Sequence, residues 1–200
     1  IASIYPGAEV MLDEAFHAQA LLEKARAKPV DILHLATHAE FIDQRPDGAR
    51  IYTSNGELAL QELGKQLRQK QTKPIGLFVL NACRTAIGNE GRELGMAGLA
   101  LQAGATSAIG NLWYVDDAVS AAFTVQFHRF MNQGLNKDQA LQMTQQLFQS
   151  GAISVQGEQI INSSNEVLLT GISRGDQQHL SRRLSHPYFW AGAILTGRPW

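Results

Sequence analysis

Cysteine is almost absent: Cys83 is the only one in 200 residues. A lone thiol excludes an internal disulfide and points to a reducing, cytoplasmic setting. An excess of either charge is also missing, since 17 Lys and Arg against 18 Asp and Glu leave a formal net charge of -1. The basic residues are scattered, so the chain has no electrostatic footprint for binding nucleic acid directly. No apolar run approaches the ~20 residues that a membrane helix needs. There is no Walker loop, no dinucleotide fingerprint after a strand-like segment, no internal repeat and no long low-complexity tract. Nor is there a methionine at the start. The chain opens at Ile1, and "IASIYPG" reads like the end of a helix, so we read it as a fragment of a longer protein that lacks an upstream strand and helix.

What remains is ordinary for one globular domain over residues 1–200, with 44% hydrophobic and 18% charged residues. Apolar runs bounded by turn signals alternate with longer amphipathic segments. "AEVMLD" is a strand candidate, and Asp13 a cap for the helix that follows. "VDILHLAT", "IGLFVLNA" and "TSAIGNLW" read as strands, and "QELGKQLRQKQ" as a surface helix. In "ARIYTSNGELAL", Asn55-Gly56 signals a hairpin. "DDAVSAAFTVQFHRFMNQG" has acidic residues at its start and glycine at its end, as helix caps and the helix dipole prefer. "NKDQALQMTQQLFQS" is a further helix. Residues 151–183 form a polar insertion whose two apolar pulses suggest a hairpin, and "HPYFWAGAILTG" closes the chain as a strand. Strands alternating with helices imply an α/β fold, a mostly parallel sheet with helices on both faces.

In such sheets ligands gather beyond the carboxyl ends of the strands. His38 and Cys83 lie at two such ends. A thiol is a weak nucleophile until an adjacent imidazole takes its proton or stabilises the thiolate. Geometry alone leaves two readings open, a Cys–His dyad or an inert buried cysteine. The glycine-punctuated "RTAIGNEGRE" after Cys83 reads as a loop over a cleft. His34, among Ile32, Leu33 and Leu35, reads as a core histidine. On a strand it stands about 13 Å from His38 at ~3.3 Å per residue, which excludes a shared metal. His17, His128 and His179 fall in helical or polar surface segments, and His186 packs or caps a turn before Pro187. A phosphatase-type loop fails because Asn89 stands where arginine is needed. A glutaminase-type elbow fails because Asn81 and Thr85 stand where glycines are needed. In "WYVDD", Asp116 and Asp117 are either caps of the next helix or substrate carboxylates. Trp113 and Tyr114 are either core or an aromatic wall of the cleft.

Several blocks in order, "LHLATHAEF", "NGELALQEL", "VLNACRTAIGN", "LGMAGLALQAGATSAIGNLWYVDD" and "SHPYFWAGAILTG", together resemble the CHAT domain. This is a caspase-like, separase-related module often found after TPR repeats in bacterial proteins. The resemblance covers nearly the whole chain. It implies a cysteine endopeptidase with His38 as general base and Cys83 as nucleophile, and with the backbone N–H groups of Ala39 and Cys83 holding the oxyanion. It also implies that Asp117, with Asp116 and Trp113 beside it, receives a basic P1 side chain. A protein or peptide substrate and a regulatory TPR-type domain, in the same or another chain, are the implied partners. No cofactor, metal or membrane is implied. Ala39 replaces the usual glycine but keeps the N–H. Asn81 stands where serine is frequent, and Arg84 where glutamate or glutamine is frequent. The alternatives are a catalytically silent caspase-like scaffold and, behind it, another Cys-dependent acyl-transfer enzyme.

Overall fold

The computed structural model describes residues 1–41, 49–70, 73–81, 98, 100–101, 104–180 and 184–200. Their contacts divide into two units. One comprises Glu9–Tyr114 with Ile194–Pro199, and the other Ile1–Ala8, Val115–Ala193 and Trp200.

The first unit is built on a four-stranded sheet of β1 (Ile32–Ala36), β5 (Leu77–Asn81), β6 (Ser107–Asn111) and β10 (Ala193–Gly197), in the order β1-β5-β6-β10. β1 and β6 both run parallel to β5. Leu77, Phe78, Val79 and Leu80 are all buried, because a central parallel strand is covered on both faces and needs apolar residues without alternation. The fourth strand runs the other way. The Arg198 N–H donates to the Thr106 carbonyl (2.9 Å) and the Ser107 hydroxyl to the Arg198 carbonyl (2.6 Å), so the end of β10 lies at the start of β6. This is the mixed α/β architecture with a mostly parallel central sheet that the sequence predicts.

A second, antiparallel sheet in this unit joins β2 (Ala39–Phe41), β3 (Ala49–Thr53) and β4 (Gly56–Ala59) in that order. The expected hairpin is present, but its turn is Ser54-Asn55, because Thr53 pairs with Gly56. Gly56 opens β4 at φ +133, which only glycine adopts freely. Two helices accompany the sheets, α1 (Ala18–Ala27) and α2 (Leu60–Lys70). Leu60, Leu63 and Leu67, spaced for one helical face, are fully buried. Each contributes roughly 2 kcal/mol of apolar burial, so the expected surface helix has one core face.

No strand forms at residues 8–12. The segment runs irregularly into a 3₁₀ turn at Asp13–Ala15 with Asp13 at φ +48. Met11 packs against the core there, while Val10 and Leu12 are exposed. Glu9 instead bonds both Lys24 of α1 and Lys28, the C-cap residue that follows it (2.7 Å each). The cap of α1 is His17, whose Nδ1 accepts from the Ala20 N–H (3.1 Å), in place of the predicted Asp13.

In the second unit, α3 (Asp117–Asn132) and α4 (Lys137–Gln149) pack against each other, and β9 (Val167–Thr170) packs on α3. β9 belongs to a three-stranded antiparallel sheet with β7 (Ile153–Gln156) and β8 (Gln159–Asn162). The insertion therefore holds one strand more than the predicted hairpin, followed by a short helix, α5 (Arg174–Leu180). Within β9 only Leu168 is buried, while Val167 and Thr170 are exposed.

Candidate active site

β1 and β5 end level with each other. Ile32 pairs with Leu77 and Ala36 with Asn81, a constant offset of 45 positions. β5 and β6 hold a second constant offset of 30, from Phe78 with Ala108 to Val79 with Ile109, and the isolated Ile75–Ala105 bridge keeps it. His38 stands 45 positions before Cys83, and Trp113 stands 30 positions after it. Cys83, its N–H and the loop read after it lie outside the described residues.

His38 is described in full. It follows β1 by two residues and precedes β2, and its side chain is exposed whereas that of Ala39 is buried. The Tyr52 N–H donates to the His38 carbonyl (2.8 Å), one step outside the Ala39–Ile51 pairing of β2 with β3. Ala39 opposite Ile51 is then a non-bonded pair. Its N–H turns away from β3, toward the free side of β2, which is the edge strand of its sheet. Tyr52 itself is 36% exposed. One residue earlier, the Thr37 hydroxyl donates to the Tyr52 carbonyl (2.6 Å).

The sequence reading missed Thr37 and Tyr52. The available signal was a strand-end threonine directly before the histidine, together with a β-rich segment able to pair with it.

His34 behaves as the core histidine expected. Its Nε2 is buried, and desolvation above all pushes the imidazole down to about 4 from an ordinary 6.5. Trp113 is half-buried, while its neighbours Leu112 and Tyr114 are exposed. Asp116 and Asp117 belong to the other unit. Asp116 is the N-cap of α3, its Oδ1 accepting from the N–H groups of Ala118 (3.0 Å) and Val119 (3.3 Å), and Asp117 is exposed in the first turn.

The remaining histidines split. His186 caps the 3₁₀ turn at Pro187–Phe189, its Nδ1 accepting from the Tyr188 N–H (3.2 Å). His128, expected in a helical or polar surface segment without a partner, is fully buried on α3. Its Nδ1 meets the Tyr5 hydroxyl at 2.9 Å, a partner 123 residues away that no local pattern reveals. Among the described residues, no three His, Cys, Asp or Glu side chains gather as a metal site, and no helix is long and apolar enough to cross a membrane.

A comparison with curated proteins returns no significant match. A comparison with protein families matches the CHAT domain over residues 1–198, a span that runs through both units. That family is caspase-like and related to cysteine peptidases. With the parallel sheet and the histidine at its carboxyl end in place, and a match covering essentially the whole chain, the protein belongs to the CHAT domain family.

Proposed function

We propose that the chain is a cysteine endopeptidase in which His38 and Cys83 form the catalytic dyad. The observation that carries this reading is the register of β1 and β5. Its offset of 45 is the separation of His38 from Cys83, each two residues beyond the paired Ala36 and Asn81. That register brings the carboxyl ends of β1 and β5 level on adjacent strands, which lie about 5 Å apart.

In the proposed reaction His38 takes the Cys83 proton, and the thiolate attacks the scissile carbonyl carbon to form a C–S bond. The imidazolium then returns the proton to the leaving amine as the C–N bond breaks, and water hydrolyses the thioester. The oxyanion is held by the N–H groups of Cys83 and Ala39. The Ala39 N–H suits the role because it is not directed at β3. Alanine in place of glycine keeps that donor.

The proposed substrate is a protein segment, and the proposed switch is a TPR-type sensing domain in the same or another chain. Of the two carboxylates, Asp117 carries the proposed basic P1 preference, as the closer match to the separase segment that the resemblance points to. A peptide panel in which Asp117→Ala keeps any preference for Arg or Lys removes that assignment.

The dyad is tested without a substrate. Iodoacetamide alkylation is followed against pH in the native chain and in His38→Ala. With one cysteine in the sequence, the whole signal belongs to Cys83. An isolated thiol titrates near ~8.5, whereas a His-paired thiol reacts below neutrality. Fast alkylation at acidic pH that is lost in His38→Ala supports the dyad. A slow thiol indifferent to His38 sinks it and leaves the caspase-like scaffold as the reading.

A further inference from the structure

We infer that Thr37 is a positioning residue for this site: its hydroxyl clamps the chain as it leaves β1 and so fixes where His38 and the Ala39 N–H stand. The inference rests on the His38–Cys83 dyad proposed above, and Thr37 itself touches neither substrate nor the reacting atoms.

Two bonds close on one residue of β3. The Thr37 hydroxyl donates to the Tyr52 carbonyl (2.6 Å), and the Tyr52 N–H donates to the His38 carbonyl (2.8 Å). Consecutive residues at the exit of β1 are therefore held by the two backbone groups of a single partner.

That partner is itself held. Tyr52 pairs with Glu57 across β3 and β4, and the Thr53 hydroxyl donates to the Gly56 carbonyl (2.8 Å). The turn beyond is tied to the segment before α1. There the Ser54 N–H donates to the Phe16 carbonyl (2.8 Å) and the Ser54 hydroxyl to the Glu14 carbonyl (3.2 Å).

The reason for a clamp at this point is geometric. β1 is held by β5 only as far as Ala36. His38 lies between β1 and β2, outside either strand, and it is exposed. Its position thus depends on its backbone, and the backbone on the bonds to Tyr52. The hydroxyl adds the bond nearest the crossing from one sheet to the other. Valine at position 37 keeps the branched shape and the strand preference but loses the O–H donor, whereas serine keeps the donor and loses only a methyl group. A thiolate–imidazole pair is sensitive to small displacements, so the loss of the donor should be read at the thiol.

The test is the alkylation–pH profile of Cys83 in the native chain, Thr37→Val, Thr37→Ser and His38→Ala, with urea midpoints measured on the same samples. If Thr37→Val does not fold, Thr37→Ala takes its place. The expected result is that Thr37→Val moves most of the way to the His38→Ala profile, which lies near the ~8.5 of an isolated thiol. Thr37→Ser should stay with the native chain. A Thr37→Val chain of lowered urea midpoint but native alkylation profile has lost only a structural bond and overturns the inference. So does a Thr37→Ser chain that behaves like valine. If His38→Ala itself leaves the native profile unchanged, the dyad falls, and the role of Thr37 falls with it.

Discussion

Asn162 sits at the end of β8, buried, with every position of its carboxamide engaged. Its amide donates to Gln126 Oε1 on α3 (3.0 Å) and to Glu166 Oε2 (2.6 Å), and its Oδ1 accepts from the N–H groups of Ser164 and Glu166 (3.0 Å each). One side chain thus folds the β8–β9 connection, with Asn165 at φ +59, and fastens it to α3. Asn162→Leu keeps the volume and removes all four bonds. A neutral bond is worth ~1 kcal/mol net and one to a charged group somewhat more, while groups near the surface recover water, so the expected cost is about 3 kcal/mol. Gln126, buried beside it, leaves its carbonyl unsatisfied and accounts for much of that loss. Asn162→Asp separates the parts. It keeps the acceptor for the two N–H groups but sets a carboxylate against Glu166, and like charges raise the pKa of the pair. A pKa raised in the folded state contributes stability that is present at low pH and lost as pH rises through it. The aspartate variant should therefore approach the native chain at pH 5 and fall away at pH 7, read from urea midpoints at both. Asn162→Leu costing under ~1 kcal/mol would refute the argument from the bonds. An aspartate variant with the same deficit at both pH values would refute the argument from charge.

Two further perturbations follow from the first unit. Burial holds His34 at about 4 against an ordinary 6.5, so between these values the unfolded chain takes up a proton that the folded chain refuses. Stability should be flat above that window and fall within it as pH drops, by ~1.4 kcal/mol per unit and about 3 kcal/mol in all. Denaturant titrations of His34→Gln should lose this slope while keeping the separate decline below 4.5 from Glu9, which Lys24 and Lys28 hold at about 2; an unchanged slope would clear His34. Gly197 stands at φ +98, and a Cβ there would run into the Thr106 carbonyl oxygen that accepts from the Arg198 N–H. Gly197→Ala combines left-handed backbone strain with a backbone clash, for about 3 kcal/mol of lost stability. A thermal midpoint within a degree of the native value would show that β10 can shift without cost.

Much of the fold is legible because local chemistry and tertiary packing agree. The apolar runs at β5 and β6 are buried strands, while β1, at the end of the strand order, reads as a strand but buries only Leu35. The ends of α3 and α4 are announced by residues that serve them in the structure: Asp116 caps α3, Gly134 follows it at φ +94, and Gln139 Oε1 accepts from the Asn136 N–H (3.1 Å) at the start of α4. The failures fall where a distant partner decides. His128 shows no partner in any local pattern until Tyr5 is found beside it. "AEVMLD" has strand-forming residues, but no strand pairs with them.

At the candidate site the division runs through neighbouring residues. His38 was legible as the residue after an apolar run, since a parallel strand delivers its last residues to the end where loops collect. Its distance from Cys83 was legible as a number but not as a geometry, because a separation of 45 means proximity only when the strands pair at an offset of 45. The pairing of β1 with β5 has that offset as far as Ala36 and Asn81. What sequence could not offer was the means of holding an exposed histidine between two sheets. That depends on which backbone groups β3 leaves for the chain leaving β1, and thus on the placing of the Ser54-Asn55 turn. Moving that turn to Asn55-Gly56, as the dipeptide suggests, would slip the pairing of β3 with β4 and change the frame that holds Tyr52, to which Thr37 and His38 are bound. A period of two makes every such slip exchange the two faces of a strand. The hairpin turn, 16 residues beyond His38 in sequence, is thus part of what sets the candidate site.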